Sequence, residues 1–546
     1  MCGIICALGV SDVATAREKV IRMSKCIRHR GPDSSGYWNR GHDILGHERL
    51  AIVSLDDGSQ PLISIDETTA VAANAEIYNH VDLYQIYGQT KLRSKSDCEV
   101  LMYALQQENP EEFLNSIRGI FSFVVSNGED CLISRDHIGV IPLYWGRDKD
   151  GAIWVASEMK ALLSECIYFD VFPPGHFYSS RTKELKCYYN PVWFREIPTG
   201  EPNFAKLRSA FETAVIRRTK CDVPYGILLS GGLDSSLVAS VLTAQLRKVA
   251  ENGADTGKTT KIHSFCVGFD KNSPDLRYAR QLADFLGTKH HEVILSIQQG
   301  IDSIEDVIWY TETYDVTTIR SSVPMYLLAR KIRSLGIKMI LSGEGSDEIF
   351  GGYLYFHGTD DPKKFHEENV KLLNELHVFD CLRANKSLAA FGIESRVPFL
   401  DRDFLDAAFS FDPKFKCSID GRIEKWVLRK TFDDADIILP SLLWRQKEQL
   451  SDGVGYSWID ELIQHTNNKV SDYMFSCREM LYPHNTPSTK EAFYYREIFE
   501  RLFPHRSAVG TVKKWVPNWS KDLDPSGRRQ LTHQYSTYTV SASSCS

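Results

Sequence analysis

A chain of 546 residues exceeds what one core usually fills, so two or more domains are expected. A hydrophobic share of 43% and a charged share of 25% are ordinary for a globular protein and exclude a fibrous or fully disordered chain. A formal net charge of −7 with no basic tract argues against nucleic-acid binding, and no apolar run nears the roughly 20 residues of a membrane helix.

Thirteen cysteines without a CxxC pair support neither a disulfide framework nor structural zinc. No secretory signal pattern opens the chain, so scattered thiols point to a reducing compartment, with cytoplasm as the default.

Met1-Cys2-Gly3-Ile4 places a thiol directly after the initiator methionine. Removal of Met1 would give one residue both a thiol and a free α-amine of pKa about 7.7–8.0, close enough to the thiol's ~8.5 to act as its base. A small residue opening a strand is the bland alternative. Short strand-like runs follow at Ile4–Leu8, Leu50-Ala51-Ile52-Val53, Phe121–Val125 and Ile153–Ala156, which predicts an antiparallel sheet domain over residues 2–190. Among them lie Arg28-His-Arg-Gly-Pro-Asp33, His47-Glu-Arg49, Asn74-Ala75-Glu76 and Ser96-Asp97-Cys98-Glu99. Arg49 suits a bidentate grip on an α-carboxylate, Glu76 or Asp97 an α-ammonium, and Asn74 an oxyanion. Three prolines mark 191–204 as a linker.

From 205 strand and helix alternate. Tyr225–Leu229 reads as a buried strand and the stretch with Leu242, Leu246 and Val249 as an amphipathic helix. Between them Ser230-Gly231-Gly232-Leu-Asp234-Ser235-Ser236 offers free backbone N–H groups at a helix N-terminus, a cradle for an anion. It lacks a Walker lysine. Gly253–Thr259 resembles a P-loop one residue too short, and reads as a polar surface loop. Ile262–Val267 and Ile337–Leu341 look like further parallel strands, the latter leading into Ser342-Gly343-Glu344-Gly-Ser-Asp347-Glu348. Ligands lie beyond the carboxyl ends of such strands, so both loops are expected to face one nucleotide. Asp234 and Asp347 suit Mg²⁺, the alternative being helix caps. Arg320, Lys425, Arg429 and Lys447 are candidate phosphate cations, although any one basic residue is more often a solvated charge. Beyond 360 the chain reads as helical. The 526–546 tail, rich in serine and threonine from Gln534, reads as disordered.

The N-terminal strings resemble the class II glutamine amidotransferase domain, an N-terminal-nucleophile αββα fold. SGGxDS is the signature of ATP pyrophosphatases. Glu312–Arg320, Arg396–Asp401 and Trp444-Arg-Gln-Lys447 resemble the synthetase domain of glutamine-hydrolysing asparagine synthetases, over 205–525. That resemblance implies a two-domain α/β and α+β protein, the second domain a doubly wound parallel sheet with a helical C-terminal part. It implies synthesis of asparagine from glutamine, aspartate and ATP through β-aspartyl-AMP, with Mg²⁺ and with homodimers common among relatives. Cys2 attacks glutamine, which is held by Arg49, Leu50, Ala51, Ile52, Val53, Asn74, Ala75, Glu76 and Asp97. ATP lies against Leu228, Val267, Ser342 and Gly343, and Ser230 to Ser236 cradle pyrophosphate. Thr317, Thr318, Arg320 and Glu344 serve aspartate and the adenylate, and Lys447 the synthetase chemistry.

One position departs: the family reads Asn-Gly-Glu where this chain has Asn74-Ala75-Glu76. If that position needs positive φ, the methyl costs roughly 1–2 kcal/mol, and a misplaced oxyanion donor about 3–4 kcal/mol of barrier. A mainly ammonia-dependent enzyme with a weakened glutaminase is therefore an alternative. A non-catalytic regulatory paralogue should have lost Asp234, Glu344 or Asp347, and all three are present. A β-lactam-forming relative would typically lack Cys2.

Overall fold

The computed structural model describes residues 1–88, 92–251, 262–419, 421–434, 436–448, 450–455 and 457–519. The P-loop-like Gly253–Thr259 and the 526–546 tail lie outside the described residues.

Strand Gly3–Leu8 shows how the first half is built. It pairs antiparallel with Asp43–Arg49 and Ile153–Ala156, and all six residues are buried. Side-chain alternation sends Ile4, Cys6 and Leu8 to one face, where they meet Ala70, Ala72, Val124 and Ile133 of a second sheet. Ile5 and Ala7 face the other way, against Ala16, Val20 and Met23 of helix Val13–Ser24. In the second sheet Val71 and Ala73 turn outward to Phe113 and Leu114 of helix Pro110–Ser116. Strands covered on both faces read as unbroken apolar runs. The result is the expected αββα sandwich of two six-stranded antiparallel sheets.

Leu50–Val53 is a correction. Its strand ends at Arg49, and the four residues form a loop in which Leu50 and Ile52 are buried and Ala51 and Val53 half-buried. The Ile52 carbonyl accepts from the Asp222 N–H at 2.9 Å, and Ser54 turns the chain at φ 57°. A four-residue apolar run fits a loop crossing the core as well as a strand. The expected linker is also packed rather than loose, with Trp193 stacked on Phe409 at 4.2 Å.

The second half holds a five-stranded parallel sheet, ordered Lys289–Ile294, His263–Gly268, Tyr225–Leu228, Met339–Leu341 and Glu394–Arg396. Its two edge strands escaped the sequence reading because they are polar. Lys289–Ile294 is half-covered, and Glu394–Arg396 is three residues of which two are charged. Chain order reverses at Tyr225–Leu228, which makes the gap between it and Met339–Leu341 the switch point where ligands bind. Helix Leu233–Glu251 buries Leu242, whereas Val249 is 42% exposed, so the expected apolar stripe thins out before the helix ends.

Candidate active sites

Cys2 lies at the mouth of the sandwich, just before its strand begins. Its N–H donates to Asn74 Oδ1 at 2.9 Å, and the Leu50 N–H reaches its sulfur at 3.4 Å. Burial pushes the Cys2 thiol above its ordinary value. Asn74 is buried, and its Nδ2 has no hydrogen-bond partner. A buried amide N–H₂ without an acceptor is costly unless a ligand supplies one, so this donor suits an oxyanion beside the sulfur. Ala75 sits in the extended strand Ala70–Ile77, opposite Phe121, and is not among the residues of positive φ. The backbone strain considered for this methyl is therefore absent.

The other glutamine-site candidates gather around this point but are already engaged. Arg49 donates to the Ser54 carbonyl at 2.6 Å and to Leu55 at 3.3 Å, which closes the 50–53 loop. The Ala51 N–H donates to Asp33, and Asp97 accepts from the Ile77 N–H at 2.7 Å. Glu76 pairs with Arg396 at 2.6 Å, a partner from the parallel sheet. The Met1 ammonium, itself buried, lies 2.8 Å from Glu394.

At the switch point the two glycine loops meet. A Cβ on Gly343 would stand 2.9 Å from the Ser235 nitrogen and 3.0 Å from the Asp234 carbonyl carbon, so only glycine lets the loops close. Gly231 has φ +70° and presses on Tyr278 and Ala279. The resulting pocket is lined by Ser230, Gly232, Asp234, Ser235, Ser342, Gly343, Glu344, Asp347, Lys425, Arg429 and Lys447. An apolar slot beside it brings Leu228 and Val267 together with Phe265 and Met325, a shape suited to a flat base. Lys425 Nζ bridges Asp234 at 2.7 Å and Asp347 at 2.6 Å, and Lys447 lies 2.7 Å from Asp347. Burial opposes ionisation of Asp347, yet the two lysines outweigh it and bring its carboxyl down to about 2. Glu344 is pushed up by burial, with Arg383 3.8 Å away and Ser342 donating to it.

Two candidates stand apart. Ser236 is fully buried behind its loop rather than in the pocket. Arg320 forms a buried bidentate pair with Glu491, at 2.9 and 2.6 Å, and lines a separate cavity. Thr317 and Thr318 do line a small recess opening beside Asp347 and Lys447. Sequence reasoning missed Arg383, Asp380 and Arg445, which all line the pocket between the two glycine loops. Their only signal was a charge inside an apolar helical stretch or beside Lys447.

The glutamine amidotransferase domain family matches residues 1–184, and the asparagine synthase family matches 206–366 and 358–526. Fold and sites thus define an amidotransferase sandwich joined to a nucleotide-binding α/β domain. The chain belongs to the asparagine synthase family. It is similar to asparagine synthetase (glutamine-hydrolyzing) 1 of Arabidopsis thaliana, 51% identical with 98% of this chain and 95% of that protein covered. Asparagine synthetase (glutamine-hydrolyzing) 2 of Oryza sativa subsp. japonica is 52% identical, covering 97% and 93%. A probable asparagine synthetase of Dictyostelium discoideum is 49% identical, covering 98% and 100%.

Proposed function

We propose that this chain makes asparagine from aspartate with ammonia drawn from glutamine, converting ATP to AMP and pyrophosphate. The observation that carries the reading is the convergence of Asp234, Asp347, Lys425 and Lys447 where two glycine loops close on a parallel sheet. In the amidotransferase half, residues 2–190, loss of Met1 frees the Cys2 amine to take the thiol proton. The thiolate adds to the glutamine amide carbon while Asn74 Nδ2 and the Ala75 N–H receive the oxyanion. The Cys2 ammonium gives that proton to the departing nitrogen, ammonia leaves, and water then releases glutamate from the thioester.

In the second half, residues 205–525, a side-chain oxygen of aspartate attacks the α-phosphorus and pyrophosphate departs toward Ser230–Ser235, Lys425 and Lys447. Ammonia attacks the acyl carbon of β-aspartyl-AMP, AMP leaves, and Glu344 takes the proton lost from nitrogen. The raised pKa of that half-buried carboxyl suits it to hold a proton. Asp234 and Asp347 converge on one cation position, now held by Lys425, and two carboxylates plus phosphate oxygens match the preference of Mg²⁺. Bound there, Mg²⁺ would offset the charge of the phosphates. Among the described residues no helix is long and apolar enough to cross a membrane, and we place the enzyme in the cytoplasm.

The test offers aspartate and Mg-ATP with either glutamine or ammonium and measures asparagine, AMP and pyrophosphate. Cys2→Ala should abolish glutamine-supported synthesis and spare the ammonium-supported reaction. Pyrophosphate release that ignores aspartate would refute the reading.

A further inference from the structure

Two cavities meet at one indole. The smaller, about 90 Å³, is lined by Thr317, Thr318, Asp380, Arg383 and Lys447 and adjoins the nucleotide pocket. The larger, about 500 Å³, is lined by Lys490, Glu491, Arg496 and Asn485 among others. Charged walls and a volume many times the ~30 Å³ of one water let it hold a cluster of waters, whereas the recess, also charged but about 90 Å³, has room for only a few that a bound substrate would displace. The two share Thr317 and Trp515.

Trp515 is held in that partition from three sides. Its backbone N–H donates to Asp315 Oδ1 at 2.9 Å, while Asp315 Oδ2 accepts from the Thr318 N–H at 2.9 Å and its hydroxyl at 2.8 Å. One carboxylate therefore fixes both the backbone at Trp515 and the helical turn that carries Thr317 and Thr318, and Tyr353 and Tyr355 orient the ring. The ring packs edge-on against Tyr353 at 5.7 Å and Tyr355 at 5.8 Å. Further along the same strap Trp519 packs on Phe356 at 6.0 Å and lines neither cavity.

An acyl-adenylate is lost to any water that reaches its carbonyl, so synthesis needs a dry acceptor recess. We infer that Trp515 is a positioning residue that seals the aspartate recess from the adjoining wet chamber, so that ammonia rather than water takes the acyl group. The inference rests on the functional reading above. The side reaction it suppresses balances simply. The oxygen of water bonds to the acyl carbon, the carbon–oxygen bond to AMP breaks, and a proton passes to solvent. Aspartate is regenerated, and the net change is ATP plus water to AMP plus pyrophosphate.

The experiment uses the full chain with saturating ammonium in ¹⁸O-water, and counts pyrophosphate, asparagine and ¹⁸O in recovered aspartate. Wild type should give pyrophosphate and asparagine near parity. Trp515→Ala should raise pyrophosphate per asparagine about threefold or more and place ¹⁸O in aspartate rather than AMP. Trp515→Phe should restore most of the coupling. Trp515→Leu supplies the same readout should the alanine variant fail to fold. Trp519→Ala should keep the wild-type ratio even if its melting temperature falls. An unchanged ratio in Trp515→Ala or Trp515→Leu, or an equal rise in Trp519→Ala, overturns the seal. If wild type releases no pyrophosphate in response to aspartate, the functional reading falls and the seal with it.

Discussion

Ala75→Gly places at this position the glycine that the family resemblance leads one to expect. Had the backbone stood at positive φ, glycine would relieve roughly 1–2 kcal/mol of strain and realign an oxyanion donor. It does not: Ala75 lies in the strand Ala70–Ile77, registered against Phe121, with its N–H set by extended geometry rather than by a turn. Glycine there gains only freedom in the unfolded chain, so the variant should lose about 0.5–1 kcal/mol of stability. Because the donor does not move, glutaminase turnover should change by less than about twofold, against the 10²–10³ that a repaired oxyanion hole would return. Urea denaturation and glutamate release measured on the same preparation decide the matter. A gain in stability together with a tenfold or larger rise in glutaminase rate would refute the strand-based argument.

Lys425→Met should cost at most about 3–5 kcal/mol, because it leaves the half-buried Asp234 and Asp347 together with only Lys447 to share. Denaturation with and without Mg-ATP checks this, the ligand restoring more stability to the variant than to wild type. Asp275, beside Arg445, is pushed up to about 7 by burial, which the arginine only partly offsets. Between its ordinary carboxylate value and about 7 the folded state holds a proton the unfolded state has lost. Stability therefore falls as pH rises through that window, by at most about 1.4 kcal/mol per pH unit, and Asp275→Asn should flatten that part of a pH series of denaturation curves.

Much of the architecture was legible because its strands are buried on both faces and its loops carry unusual residues. Ile153–Ala156 was readable to the residue. Ser230–Ser236 and Ser342–Glu348 announced themselves by glycines that the structure needs for close approach, as the Gly343 contacts show. What escaped was polarity in the wrong place for a pattern reader. Glu394–Arg396 is a strand with no apolar residue, made possible because each charge finds a buried partner. Leu50–Val53 erred the opposite way, apolar because it is buried and irregular because its carbonyls turn to Arg49 and Asp222. Arg320 illustrates a third failure: a motif string fixes its place on the helix Val316–Ser334, but not that Glu491, over 170 residues later, claims its guanidinium.

The edge strand Glu394–Arg396 also explains how two distant chemistries keep a fixed relation. The Arg396 guanidinium holds Glu76 at 2.6 Å and Glu394 at 2.7 Å, and donates to the Lys220 carbonyl at 2.7 Å. Its own carbonyl accepts from the Ser342 N–H at 3.0 Å, the first residue of the nucleotide loop. One residue is thus bonded by its side chain to Glu76 of the proposed glutamine site and by its backbone to Ser342 of the proposed ATP loop. Burying such a network stabilises little by itself, since desolvation offsets much of the attraction. Its directional bonds set position instead. A shift of the sandwich against the parallel sheet would have to break a charged pair sealed from water, so the two proposed sites are held in register by a strand without an apolar residue.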